Sequence, residues 1–263
     1  MDIDSIRKQF DHDERLHSYQ PQSRREASAE IVRYVNLHAP FSFILYSSLI
    51  AANADAIIER EIEYFNRIEH GFEWKTYSHD ALPDLPERLA KHGFEVGEQE
   101  AVMVLDLAAL PDALAAPVTH DVRPIINPDD IAPLLSSVQS VVFGDDDEER
   151  MIKELARELR DRPQEIAFYA AYSDGIAASA AWIRYPPGSA FASLWGGATL
   201  EAYRGRGLYT ALVAARAQEA KARGYRYLFI DASAMSRPIV ARHGFVEMSV
   251  SVPCTWETKP GNL

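Results

Sequence analysis

The stretch Arg204-Gly205-Arg206-Gly207-Leu208-Tyr209-Thr210 joins an apolar, strand-like run, AFASLWGGATL (190–200), to an alanine-rich helical run, LYTALVAARAQEAKARG (208–224). The first N–H groups of a helix have no partner within it, and the helix dipole favours an anion at that end. Glycines let the backbone approach a ligand closely and take left-handed angles. Arg204 and Arg206 add mobile positive charge. Together these features suit a pyrophosphate.

Three phosphate-binding templates compete for the stretch. A P-loop closes on Gly-Lys-Ser/Thr, which occurs nowhere in this chain. A dinucleotide-binding turn needs G-x-G-x-x-G, and here Thr210 stands at the third glycine. Asp231 follows at the end of the next strand, as a ribose-binding acid would, but only 32 residues remain after it. That is too short for the rest of a doubly wound sheet, and four predicted strands precede the motif rather than follow it.

Around the stretch the elements read β-α-α-β-β-β-α-β-α-β. DVRPI is a strand, NPDDIAPLLSSVQSVVFG and DDDEERMIKELARELRDRP are helices, and EIAFYAAYSDG and IAASAAWIRYPPG form a hairpin. The apolar run before the loop is a central strand. YRYLFIDA, SRPIVARHG and FVEMSVSVPCTW then read as strand, short helix and strand, with Ser236 as the helix N-cap.

Two stretches look alike: HGFEWKTYSHDALPDLPERLAKHGFEV (70–96) and RGYRYLFIDASAMSRPIVARHGFVE (223–247). Each has a glycine, an aromatic-rich strand, Asp-Ala, and a basic residue before His-Gly-Phe. The spacing Asp80 to Gly93 equals Asp231 to Gly244. This predicts two related strand–helix–strand units. The boundary is expected within LPDALAAPVTH (110–120), which holds two prolines. The domains are then 1–115 and 118–260, and the first has no counterpart of RGRG.

Composition is that of a globular chain, 47% hydrophobic and 25% charged, with a net charge of −12. Such acidity disfavours nucleic acid as a main partner. One cysteine rules out an internal disulfide and fits a reducing, cytoplasmic location. The N-terminal residues lack the apolar core of a signal peptide. FSFILYSSLIAANADAII is interrupted by polar residues, so no membrane span is expected.

With loop, strand order and Gly-Phe taken together, residues 118–256 resemble the GCN5-related N-acetyltransferase (GNAT) superfamily. That family's loop reads Gln/Arg-x-x-Gly-x-Gly/Ala and is matched here from Arg204 to Tyr209, with tyrosine in the last place. The whole chain is similar to bacterial tandem members in which only the C-terminal half keeps the loop. The resemblance implies an α/β fold: a mixed central sheet flanked by helices, in two GNAT-like halves, the first degenerate. It implies acetyl transfer from acetyl-coenzyme A to an amine of a small molecule or protein. The alternative is a non-catalytic acyl-coenzyme A-binding regulatory module. The expected partner is an amine-bearing small molecule or peptide, with a homodimer as an option and no metal.

By the same resemblance, backbone groups of Ala198, Thr199 and Leu200 pair with pantetheine, and a backbone N–H near Gly197 serves the oxyanion. Arg204, Gly205, Arg206, Gly207, Leu208, Tyr209 and Thr210 hold the pyrophosphate, and Ser233 and Ser236 complete the cofactor-binding set. The family's tyrosine acid falls at Val240 and its frequent strand glutamate is missing from FASLWGG. Glu201, Tyr209 and Asp231 are the catalytic candidates. His243 and His92 read first as helix-end histidines favoured by the dipole. Trp182 and Trp195 read as core or as lining of an acceptor pocket. GDDDEER reads as a solvated helix start, and Cys254 as a buried small hydrophobe.

Overall fold

Short apolar runs between turn residues form the strands here, and alanine- or leucine-rich runs form the helices. The computed structural model describes residues 1–139 and 145–258. Contacts group the chain into two units. The first holds Met1–Met103, Asp231–Ala241 and the described residues from Val246 on. The second holds Val104–Ile230 and Arg242–Phe245.

The first unit begins with α1 (Ile3–Phe10), capped by the Asp2 side chain, and a wider π turn at Asp11–Leu16. Strands β1 (Ser23–Ala27), β2 (Ile31–Asn36) and β3 (Phe41–Ser47) are antiparallel neighbours. Helix α2 (Ala54–Arg67) crosses over to β4 (Gly71–Tyr77), which lies parallel to β3. Helix α3 (Leu85–Lys91), β5 (Glu95–Val96) and the start of β6 (Glu100–Asp106) follow. Ile44, Ile58, Phe65, Phe72, Trp74 and Leu89 form the core of this unit, with the Phe65 and Phe72 rings stacked.

In the second unit, α4 (Asp112–Ala115) and β7 (Asp121–Ile125) precede α5 (Ile131–Gln139) and α6 (Asp145–Asp161). Strands β8 (Ile166–Ser173), β9 (Ile176–Arg184) and β10 (Phe191–Thr199) follow, then α7 (Leu208–Ala222) and β11 (Tyr227–Ala232). The strands lie in the order β7-β8-β9-β10-β11, antiparallel except for the parallel β10–β11 pair. Both units therefore repeat one plan: antiparallel strands, then a helical crossover into a parallel strand. Helix α8 (Arg237–Arg242) and β12 (Val246–Trp256) complete the chain, and β12 pairs antiparallel with β4 from Ser251↔Tyr77 to Trp256↔Phe72. Of the acidic stretch GDDDEER, Gly144 and the side chains of 145–149 lie outside the described residues.

Helix α7 is buried on more than one side. It faces β8, β9 and β10, while Gln218 Nε2 donates to Leu114 O and Ala116 O at 2.7 and 2.8 Å. Small residues suit that position: Ala211, Ala214, Ala217 and Ala220 are all buried. The segment 110–120 thus carries α4 and packs on α7 within the second unit.

The parallel pairs stop before their strands end. In the first unit, β3 and β4 pair as far as Ile44↔Trp74. Beyond that point Arg15 enters between them. Its Nε donates to Leu45 O at 2.9 Å, and its guanidinium lies 4.1 Å from the Tyr77 ring centroid. Asp11 and Asp80 bind it at 2.6 and 2.7 Å. Burial works against this charge, but Asp80 and the neighbouring acids outweigh it and raise the Arg15 pKa. In the second unit, β10 and β11 pair as far as Ser193↔Phe229.

Removing one partner of a buried ion pair leaves the other uncompensated. Arg15→Met is therefore expected to cost about 3–5 kcal/mol in chemical denaturation. Arg24→Met, at the exposed pair with Glu26, should change little. Equal effects of the two variants would refute the buried-network account.

Candidate active site

Strand β10 is buried from Phe191 to Leu194 and then changes character. Trp195 is 44% exposed, with its Nε1 donating to Ser193 Oγ at 2.7 Å and Arg184 5.8 Å from its ring. The register on β9 runs Trp195↔Trp182 and then Ala198↔Ala180, so Gly196 and Gly197 together face Ala181. This is a β-bulge, with its local bend and extra twist. Gly196 has φ +59°, and a Cβ there would lie 1.8 Å from the Trp182 ring. Only glycine satisfies both the angle and the space.

The chain leaves β10 through a 3₁₀ turn, Glu201–Tyr203, and enters α7 through Gly207, whose φ of +81° places it in the left-handed region as N-cap. His120 Nε2 donates to Arg206 O at 3.0 Å and would sit 3.2 Å from a Cβ on Gly207. Among the described residues, no backbone N–H from Gly205 to Thr210 donates to a protein acceptor. They precede a helix of 15 residues, whose dipole places partial positive charge at this end. Arg204 and Arg206 are exposed, and Arg206 meets Asp174 at 3.3 Å. Such an array binds anions, phosphates above all.

The remaining expected residues fall as follows. Leu200 N donates to Ala178 O at 2.9 Å. Ala198 O accepts from Ser179 Oγ at 2.7 Å, and Thr199 O accepts from Arg204 Nε at 3.3 Å. Glu201 is exposed beside the loop. The Tyr209 ring finds its space over Gly197, 2.6 Å from where a Cβ would be. Burial raises the phenol's pKa, so it stays protonated. Thr210 Oγ1 is 3.0 Å from His243 Nε2, and burial together with Arg242 lowers the pKa of that imidazole.

Asp231, Ser233 and Ser236 group with the first unit. Lys75 Nζ donates to Asp231 Oδ2. Burial opposes the Lys75 charge, yet Asp231, Tyr77 and Glu73 overcome it and hold that amine above its ordinary range. Ser233 Oγ accepts from Ser236 N at 3.3 Å and so forms the turn ahead of α8. Two residues of the loop's surroundings escaped the sequence reading. His120 carries no local signal; Arg216, described below, looks like any surface arginine of a helix. A cavity of about 250 Å³ lies elsewhere, in the first unit, lined by Arg33, Arg60, Glu61 and Tyr64. Its Arg33, Arg60 and Glu61 are bound to one another, and we place no chemistry there.

Residues 130–245 match the acetyltransferase (GNAT) family. Among solved structures the chain is similar to a GCN5-related N-acetyltransferase from Kribbella flavida, at 14% identity and TM-score 0.66 over 92% of this chain and 91% of that one. It is also similar to a tandem GNAT protein from the clavulanic acid biosynthesis pathway, at 16% identity and TM-score 0.61 over 92% and 85% of the two chains. A third likeness is to a GCN5-related N-acetyltransferase from Sphaerobacter thermophilus, at 14% identity and TM-score 0.59 over 90% and 83%. No curated protein matches the chain. The fold is thus the α/β GNAT fold in two GNAT-like halves, and the match over residues 130–245 supports acetyl transfer in general terms.

The bulge yields a direct test. Gly196→Ala is expected to lower stability by about 1–3 kcal/mol through overpacking against Trp182. Combining it with Trp182→Leu should cost less than the two single losses added together. Simple additivity in thermal melts would show that the ring and the bulge are not coupled.

Proposed function

We propose that the chain transfers an acetyl group from acetyl-coenzyme A to the amine of a small molecule or peptide. The observation that carries this reading is the unsatisfied row of N–H groups from Gly205 to Thr210 at the start of α7. A pyrophosphate accepts from those donors, and Arg204 and Arg206 screen its charge. The glycines keep the backbone close to the ligand, and His120 braces the loop from behind through Arg206 O.

The acyl carbonyl lies along β10, at the bulge that Gly196 and Gly197 form opposite Ala181. A backbone N–H there stabilises the oxyanion that forms when the amine nitrogen attacks the thioester carbon. The carbon–sulfur bond then breaks and the sulfur leaves as thiolate. Tyr209 is the donor to that sulfur: its ring lies on Gly197 and its phenol is kept neutral by burial. The ammonium of the acceptor loses one proton to water near the exposed Glu201 before it attacks, and the second, shed by the nitrogen as the amide forms, replaces the one Tyr209 gives to the departing sulfur. Asp231 is engaged by Lys75 and takes no proton in this scheme.

Acetyl-coenzyme A is expected to raise the melting temperature, with about 2.7 kcal/mol of stabilisation at a hundredfold excess over Kd. A Gly205→Glu, Gly207→Glu variant should show no shift. Absence of any shift in the native protein at saturating acetyl-coenzyme A would end the proposal. Thiol release on addition of amines then separates an enzyme from a binding module. Within an active protein, Tyr209→Phe should lower kcat on the order of 10²-fold with little change in KM; an unchanged kcat would remove the phenol from the mechanism.

A further inference from the structure

Among the described residues two guanidinium groups are buried to 1% exposure, Arg15 and Arg216. They are held in opposite ways. Arg15 sits between two carboxylates. Arg216, in the middle of α7, meets no carboxylate within ion-pair distance among the described residues. Its hydrogen-bond partners are carbonyls. Nε donates to Leu212 O one turn back at 3.0 Å, while Nη1 donates to Trp182 O at 3.0 Å and Trp195 O at 3.4 Å.

Burying a charge without a counter-ion is costly, and a methionine or leucine would fill the volume without that cost. The reason for the arginine lies in what it holds. Trp182 and Trp195 are cross-strand partners, the last pair before the register of β9 and β10 shifts. A shift of this kind takes ladder donors out of line with the neighbouring carbonyls, and buried carbonyls need donors. One planar fork reaches both strands at that point and anchors them to α7. A lysine offers only a compact point charge on a flexible stem. Burial lowers the Arg216 pKa to about 10, against the opposing effect of Tyr209 and Tyr185, so the group remains charged at neutral pH.

We propose that Arg216 is a positioning residue for acetyl transfer. By holding the carbonyls of Trp182 and Trp195 it fixes the Gly196–Gly197 bulge, and so fixes the direction of the N–H that meets the acyl oxygen. The inference rests on the reading of β10 as the strand that faces the acyl group. It assigns no contact with substrate to Arg216 itself. It also divides the site into two independent parts: the loop that binds the pyrophosphate, and the bulge that acts on the carbonyl.

The test uses the full chain with Arg216→Met and Arg216→Lys, read first by hydrogen exchange. In Arg216→Met, peptides covering 191–200 should exchange at least tenfold faster, while those covering 54–67 in the first unit keep the native rate. Uniform acceleration through the whole chain would mark a general stability role and overturn the proposal. This readout needs no substrate, so it stands or falls apart from the assigned activity. In kinetics, Arg216→Met should lose on the order of 10²-fold in kcat while the Kd for acetyl-coenzyme A stays within a few-fold of native. Arg216→Lys should recover part of kcat. A native kcat in Arg216→Met, or a Kd that rises in step with the loss of kcat, would overturn it. If Arg216→Met does not fold, Arg216→Lys carries both readouts, and failure of both variants to fold would make Arg216 a folding group and overturn the positioning role. Inactivity of the native protein with every amine would sink the acetyl-transfer reading but leave the exchange result in force.

Discussion

A helix cannot satisfy its own first N–H groups, and the second unit is organised around leaving those of α7 unsatisfied. Gly207 is the N-cap, a residue with no side chain to accept from them. The nearest imidazoles bond to Arg206 O and to the Thr210 hydroxyl. Arg204 and Arg206 hydrogen-bond the carbonyls of Thr199 and Ala202, which keeps their positive charge beside the donors. A Ser, Thr, Asp or Asn side chain at this position would itself have accepted from one of these N–H groups.

The first unit shows how the same plan looks when it is closed. There too a parallel strand pair stops short, at Ile44 and Trp74. The gap is occupied from within by Arg15, neutralised by Asp11 and Asp80 and laid on the Tyr77 ring. The helix that follows, α2, begins after Asn53, whose Oδ1 accepts from Ile50 N and so shapes the preceding turn. No glycine lies between β3 and α2. Strand divergence is thus a property of the fold, and whether it serves a ligand is decided by a few residues at its mouth.

The loop, the order of strands and helices, and the repeat were legible because each rests on local chemistry. Glycines at left-handed positions, alanine-rich helical runs and alternating strands all carry their meaning within a dozen residues. The partnership of Lys75 with Asp231 was not legible, since 156 residues separate the two. Nor was the pairing of β12 with β4, because an apolar strand states its period but not its neighbour. Arg216 was hidden for a different reason. In an alanine-rich helix an arginine reads as solvated, and only the two-sided burial of α7 shows that it is not. The Gly196-Gly197 pair does carry a signal, since glycine inside a strand often marks a bulge.

Tyr209 departs from the family's small residue, and the structure shows where the size went. Its ring lies over Gly197, which has no side chain to obstruct it. On the other side of the strand turn, Gly196 makes the same allowance for Trp182. The two aromatic rings therefore clasp consecutive glycines of one bulge, one ring on α7 and one on β9. Beneath them Arg216 bonds the carbonyl of Trp182 itself. Glycine is the most flexible residue the chain has, yet here two in succession are held by two rings and a guanidinium. A flexible bulge would waste the directional strength of a backbone donor, because a hydrogen bond weakens steeply as its angle opens. The constraint on these glycines is what turns a permissive backbone into one with a single direction.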